Sequence, residues 1–428
     1  MEYEDRYVIE GGVPLRGEIP ISGAKNSVLA LIAATVLTPE EFVLRNVPDI
    51  GDVWVMLEIL ESLGATVKFD AAENTLYVDS RGVNSDVIDY EISSKCRASY
   101  YFLGALMGRF GHAYVAVPGG CNFGGNRPFD YHLKGLRKLG AAVTEEQGSI
   151  RAECARLQGC LYCLEQVSVG ATINMMLAAV KADGMTIIEN AAREPHVVDL
   201  ANMLMLMGAK VYGAGTDSIR IRGVKELHGF PEYTVIPDQI EAGTYMVAAA
   251  ATLGNVTLTG VTPRHLESVA IKLRECGFTV NETEDTVQVI ANRRGSAVGF
   301  RAMPYPGFPT DMQPQMTTLM AMSRGSCIIT EGVWTNRFRY VDQLLRMGAD
   351  IRVEGKAAFV TGVERFYAAP VQADDLRAGA ALVIAGLSCE GKTRIGNIYR
   401  VERGYEHLIE KVRALGGRIR KEQFPKLD

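Results

Sequence analysis

Leu60-Glu61-Ser62-Leu63-Gly64-Ala65-Thr66-Val67 is the stretch on which the reading of the whole chain turns. Two apolar residues three apart lie on one face of a last helical turn. Gly64 then supplies the left-handed residue that ends the helix, and a β-favouring segment follows. The same order returns at Leu136–Gly140, Leu204–Gly208, Leu273–Gly277, Leu344–Gly348 and Val412–Gly416. Each copy leads into a strand start, such as Ala141-Ala142-Val143 or Phe278-Thr279-Val280. The glycines are 76, 68, 69, 71 and 68 residues apart. The chain is therefore one α/β unit of roughly seventy residues repeated six times.

Upstream of that motif most units carry a further helix and strand, as in Ile240–Leu253 followed by Gly254–Thr259 and Arg377–Leu387 followed by Gly391–Ile395. The faces of these helices are rich in Ala and Met, which predicts burial nearly all round. Helices packed inside a layer of sheets follow from this more readily than a doubly wound sheet with helices outside. Three units per domain place a break near residues 229–236, with His228-Gly229-Phe230-Pro231-Glu232-Tyr233 read as a linker. The first twenty or so residues read as a strand of a partner unit, with a second crossover near Ser22-Gly23. Residues 1–22 with 233–428 are thus expected to form one domain and residues 23–232 the other.

Composition supports two domains: 428 residues are too many for one compact core. The 47% hydrophobic and 22% charged fractions are those of an ordinary globular protein. A net charge of −5, without basic-aromatic stripes, argues against nucleic acid or a membrane surface as partner. Met1–Arg6 is acidic and no apolar stretch follows it, so no signal peptide is read there. Apolar runs such as residues 28–37 are too short to span a bilayer. Eight scattered cysteines do not make a secreted disulfide framework, so a reducing, cytoplasmic setting is expected. Cys160 and Cys163 form one CxxC without a second pair, and the six histidines show no ligand spacing, so no metal is expected.

Four segments carry candidate chemistry. Pro118-Gly119-Gly120-Cys121-Asn122-Phe123-Gly124-Gly125-Asn126-Arg127-Pro128 surrounds one cysteine with glycines, and Arg127 is close enough in sequence to activate a thiol if the loop folds back. An ordinary surface loop with an incidental Cys fits equally. Ile21-Ser22-Gly23-Ala24-Lys25-Asn26-Ser27 runs from a strand end into a helix start, where Lys25 and free N–H groups suit a phosphate or carboxylate, or else form a plain solvated helix start. Asp311, after Thr310, is either a helix-start acid or a catalytic one. Arg377 and Arg403 open elements and are either surface residues or, with Lys25, Arg97 and Arg127, a converging cationic set.

With these segments in hand the sequence resembles the UDP-N-acetylglucosamine enolpyruvyl transferase family from about residue 6 to residue 420. The resemblance is carried by Ser22–Asn26, Arg97–Ser99, Pro118–Cys121, Arg127-Pro128, Ser168–Thr172, Glu189–Pro195, Pro237-Asp238 with Glu241, Phe308–Gln313, Asn336–Phe338, Asp375–Arg377 and Arg403–Tyr405. It implies two inside-out α/β barrel domains, each of three β-α-β-α-β-β units, that close on substrate. It implies transfer of enolpyruvate from phosphoenolpyruvate to the 3′-hydroxyl of UDP-N-acetylglucosamine, the first committed step of peptidoglycan precursor synthesis, without a cofactor.

By the same resemblance Cys121 is the general acid and covalent nucleophile, Asp311 the base, and Lys25, Arg127 and Arg403 the cations for phosphoenolpyruvate, with Arg97 and Arg377 near the substrates. Asn26, Asp311 and Val333 hold the sugar. Arg127, Pro128, Phe129, Asp130 and Tyr131, with Gln166, Val167, Ser168 and Val169, hold the uridine diphosphate. Departures from the family pattern are a Cys121–Arg127 loop one residue longer, Gln166 for Lys, Gln239 for Arg, Thr335 for Glu, and Tyr101 for the Trp of some members. They leave open a paralogue with another nucleotide-linked acceptor, or a binder without turnover.

Overall fold

A computed structural model describes residues 3–116, 129–146 and 148–425. All six repeat glycines are left-handed, with φ of 102° at Gly64, 94° at Gly140, 98° at Gly208, 93° at Gly277, 89° at Gly348 and 82° at Gly416. Each closes its helix with the same pair of bonds. At the first copy the Ala65 N–H donates to Leu60 O at 3.0 Å and the Gly64 N–H to Glu61 O at 3.0 Å. At the last, the Gly417 N–H donates to Val412 O at 2.9 Å and the Gly416 N–H to Arg413 O at 2.9 Å. This is the Schellman closure, which satisfies carbonyls that a helix end would leave bare. Both apolar residues of the pair are buried in every copy, from Leu60 and Leu63 to Val412 and Leu415.

The described residues form two compact units, one of residues 3–22 with 237–425 and one within residues 23–236. Each has its own apolar core. Among the described residues each unit holds three four-stranded sheets. Every sheet has one plan: an edge strand parallel to its neighbour, followed by two antiparallel pairings, as in Phe230–Thr234, Glu41–Arg45, Thr75–Asp79 and Thr66–Asp70.

Two kinds of helix follow from two sequence patterns. Helices closed by the glycines are amphipathic: Pro263–Glu275 buries Leu266, Val269, Ala270 and Leu273, one face at i, i+3, i+4 and i+7. The others are buried on every side. Ser27–Ala34, Gly170–Ala179 and Arg377–Leu387 contain no exposed residue. Strands such as Ser218–Arg222 alternate buried and exposed, so the sheets form the surface layer and the apolar helices fill the inside.

The segment read as a linker is instead a strand over Phe230–Thr234, paired parallel to Glu41–Arg45. Its Pro-Glu composition fits an edge strand, which needs few ladder donors. The N-terminal reading is extended: Tyr3–Glu10 pairs antiparallel with Lys392–Gly396 and Arg418–Pro425, and Arg16–Pro20 pairs parallel to Asn255–Thr259. The first residues therefore supply one strand to each of two sheets in the unit of residues 237–425. At the crossover, Gly23 is required by space, since a Cβ there would lie 1.7 Å from Asn46 O.

Two glycine substitutions separate backbone strain from collision. Gly416→Ala places its methyl in open space and should cost about 1–2 kcal/mol from the left-handed backbone alone. Gly64→Ala adds a contact of 2.5 Å to Gly82 O and should cost more. Denaturant midpoints of the two variants test this order; a Gly416→Ala protein as stable as the parent would contradict it.

Candidate active site

In the unit of residues 237–425 the chemistry centres on Asp311. It lies in a single 3-10 turn, Thr310–Met312, between Pro309 and helix Gln313–Ala321. Asp311 is not the helix N-cap, which is Met312. Its Oδ1 accepts from Arg337 Nη2 at 3.3 Å and its Oδ2 from Arg377 Nη2 at 2.9 Å. Both arginines are buried, at 3% and 4% exposure, while the Asp311 side chain keeps 30%.

Arg377 is fixed by the start of helix Leu376–Ser388. The Asp375 carboxylate there accepts the N–H groups of Arg377 and Ala378 at 2.7 and 3.0 Å. Burial alone would drive the guanidinium toward losing its proton. The charges of Asp311 and Asp238, with the Tyr405 phenol beside the group, outweigh that and hold it above the ordinary arginine range. The guanidinium lies 5.8 Å from the centre of the Tyr405 ring, and the Tyr405 hydroxyl shares a 2.8 Å hydrogen bond with Thr244 Oγ1.

Arg403, two residues before Tyr405, is half-buried at the end of helix Tyr399–Glu402. Its segment is tied on both sides. Glu402 accepts from Tyr7 OH at 3.3 Å and Lys421 Nζ at 3.1 Å, and Glu406 accepts from Ser22 Oγ. The Ser22 N–H and Lys411 Nζ both donate to the buried Glu241 carboxylate, at 2.8 and 2.7 Å. Val333 follows strand Ser326–Glu331 and donates its N–H to Glu331 at 2.7 Å.

In the unit of residues 23–236, Lys25 is the first residue of helix Lys25–Ala34, and Asp52 Oδ2, itself buried, lies 2.8 Å from its Nζ. Lys25 is thus an anchored cation. Asn26 follows it, half-buried. A second group forms around Tyr100 and His132. The Arg97 guanidinium sits 5.7 Å from the Tyr100 ring centre, Tyr100 meets Phe129 and His132 edge-on at 5.7 and 4.7 Å, and Phe129 stacks on His132 at 5.0 Å. The Tyr131 carbonyl accepts from Tyr162 OH at 2.7 Å.

Helix Val169–Ala179 enters this group with Ser168 Oγ accepting the Ala171 N–H at 3.3 Å. A Cβ at Gly170 would stand 2.4 Å from Tyr100 OH, so glycine lets the helix approach the ring. Arg97 and Phe129 therefore belong to this group, and Ser168 caps the helix that reaches it. Asp130 and Gln166 are exposed and Val167 is partly so. Cys121, Arg127 and Pro128 lie outside the described residues.

Several residues of these groups have no role in the sequence reading: Arg337, Tyr405 and Glu331 in one unit, and Asp52, Tyr100, His132 and Asn174 in the other. Asn174 is the most legible of them in the sequence, a lone amide in an Ala- and Met-rich helix. Its Oδ1 accepts the Gly104 N–H at 2.7 Å and its Nδ2 lies 2.9 Å from His132 Nδ1.

The whole-chain comparisons agree with one another. The sequence profile of the EPSP synthase (3-phosphoshikimate 1-carboxyvinyltransferase) family matches residues 9–412. The chain is 50% identical over 415 residues to UDP-N-acetylglucosamine 1-carboxyvinyltransferase 3 of Caldanaerobacter subterraneus subsp. tengcongensis, covering 97% of this chain and 99% of that one. It is 51% identical over 415 residues to UDP-N-acetylglucosamine 1-carboxyvinyltransferase 3 of Symbiobacterium thermophilum, covering 97% of both. Among solved structures, the enolpyruvyl transferase NikO from Streptomyces tendae is similar, with a TM-score of 0.89 at 27% identity, covering 99% of this chain and 100% of that one.

The buried histidine makes a pH prediction. Burial, and secondarily Arg97, push the His132 pKa down to about 3 from 6.5. The unfolded chain therefore takes up this proton more readily than the folded one. The resulting stability is fully present above pH 6.5 and is lost as pH falls toward 3. The slope contributed should reach about 1.4 kcal/mol per pH unit. Denaturant unfolding between about pH 5 and 7 should show that slope in the parent and its loss in His132→Gln; an unchanged slope would refute it.

Proposed function

Since this chain belongs to the UDP-N-acetylglucosamine 1-carboxyvinyltransferases within the EPSP synthase family, we propose that it transfers enolpyruvate from phosphoenolpyruvate to the 3′-hydroxyl of UDP-N-acetylglucosamine, releasing phosphate. The structural observation that carries the reading is the half-open Asp311 carboxylate held between two buried guanidiniums.

In this reading the Asp311 carboxylate takes the proton of the sugar hydroxyl as its oxygen bonds to C2 of phosphoenolpyruvate, and Cys121 gives a proton to C3. The adduct then loses a C3 proton and the C2–O bond to phosphate, restoring the vinyl group on the new ether. Cys121 adding to C2 is the covalent variant of the first step. Lys25, Arg127 and Arg403 bind the phosphate and carboxylate of phosphoenolpyruvate, with Arg97 and Arg377 beside the substrates. Asp52 supports this by holding Lys25. Asn26, Asp311 and Val333 hold the sugar.

The stacked Phe129–His132 group, with Asp130, Tyr131 and Gln166–Val169, supports the uridine diphosphate, together with Arg127 and Pro128. Deep burial keeps His132 neutral, so it packs and orients while the arginines bring the charge. Among the described residues no helix is long and apolar enough to cross a membrane. We place the activity in the cytoplasm, at the first committed step of peptidoglycan precursor synthesis.

Phosphate release from phosphoenolpyruvate should require UDP-N-acetylglucosamine. Release supported by UMP instead would identify a different acceptor, and none with any acceptor would identify a binder. Cys121→Ala and Asp311→Asn should each lower kcat by about 10²- to 10⁴-fold, while in Cys121→Ala calorimetric binding of UDP-N-acetylglucosamine stays within a few-fold. Full activity in Cys121→Ala would remove the proton-donor role.

A further inference from the structure

The carboxylate of Glu331 takes no part in the steps above, yet its donors join two parts of the site. Glu331 ends strand Ser326–Glu331 and is 1% exposed. Its Oε1 accepts the N–H of Val333 at 2.7 Å and of Trp334 at 3.1 Å, and its Oε2 accepts the Thr310 hydroxyl at 2.9 Å. Thr310 directly precedes Asp311 in the same 3-10 turn. On one side, then, is the base; on the other is the turn that carries Val333.

We propose that Glu331 is a positioning residue, which fixes the sugar-holding turn at Val333 relative to the base Asp311 and so sets how the acceptor hydroxyl meets it. The proposal rests on the transferase reading above. Burying a carboxylate is costly unless its lone pairs are filled. Here both oxygens are occupied by neutral donors, in bonds that the carboxylate's charge shortens and strengthens. Such bonds are directional, so they fix geometry and take up most of the carboxylate's acceptor capacity.

The carboxylate also has a rigid base. The Glu331 N–H donates to Lys356 O at 2.8 Å and the Gly332 N–H to Ala302 O at 2.9 Å, which locks the strand end into its sheet. The turn at Val333 and Trp334 and the 3-10 turn at Thr310 are thereby both referenced to one sheet edge. A reacting hydroxyl displaced by about 1 Å can lose about 10²-fold in rate. That sensitivity is what a triply bonded anchor between the base and the sugar contact would serve.

Steady-state kinetics on the full chain test this with three variants. Glu331→Ala should lower kcat/KM for UDP-N-acetylglucosamine by about 10²-fold and raise its KM, while KM for phosphoenolpyruvate stays within about threefold. Thr310→Val should fall by about tenfold, mainly in kcat, because it frees the turn beside Asp311 alone. Glu331→Gln should stay within about fivefold of the parent, since its oxygen still accepts both N–H groups and its amide can donate to the Thr310 hydroxyl.

Equal shifts for both substrates in Glu331→Ala, or lowered melting temperature with unchanged kinetics, would overturn the proposal. So would a Glu331→Gln protein as impaired as Glu331→Ala. Should Glu331→Ala not fold, Thr310→Val and Glu331→Gln decide by the same criteria. A parent protein that fails to bind UDP-N-acetylglucosamine in calorimetry would overturn the transferase reading and this inference together. A parent that binds and turns over, beside an unimpaired Glu331→Ala, overturns the inference alone.

Discussion

Everything in each unit depends on helices that are buried on all sides. Such a helix has no solvent face on which to place a charge, and an unpaired charge in its middle would be prohibitively costly. The polar chemistry is therefore displaced to the helix ends. Lys25 and Asn26 begin Lys25–Ala34, Arg97 opens the turn before Tyr101–Phe110, and Ser168 caps Val169–Ala179. In the other unit Asp238 caps Gln239–Ala251, Asp311 precedes Gln313–Ala321, and Asp375 and Arg377 begin Leu376–Ser388. All of these lie at N-terminal ends, where free N–H groups favour anions. A repeat that buries its helices thus builds, as a consequence, a set of anion-friendly positions that sequence drift can specialise one unit at a time.

Several polar residues inside those helices bond back locally or tie one helix to the next. Thr244, Thr317 and Thr318 bond back to the carbonyl four residues earlier. Asn174 instead reaches the Gly104 N–H in the first turn of helix Tyr101–Phe110. The same amide holds His132, which stacks on Phe129. Packing of the barrel and shaping of the aromatic group are therefore parts of one hydrogen-bonded system.

What the sequence made legible was local. A Schellman end is written within six consecutive residues, so the repeat and its period were readable without the structure. Strand Phe230–Thr234 was not, because its identity as an edge depends on Glu41–Arg45, nearly two hundred residues away in the chain. Asp311 shows the same limit. As a neighbour of Thr310 it suggested a helix cap, and its actual partners come from 26 and 66 residues downstream. The family resemblance gave no role to Arg337, Asp52 or Glu331, which hold Asp311, Lys25 and the Val333–Trp334 and Thr310 turns respectively.

Glu331 and Asp311 show how partners divide the work between two carboxylates in one unit. Glu331 is sealed from solvent, and its oxygens are taken by two backbone N–H groups and a hydroxyl. Buried, and with most of its acceptor capacity taken, it cannot meet a substrate hydroxyl. Asp311 meets two cations instead, and nearly a third of its side-chain surface stays open. A substrate hydroxyl can approach that open edge while the guanidiniums keep the carboxylate oriented. In the proposed mechanism, exposure, more than residue type or sequence position, separates the acid placed as the base from the one placed to hold it.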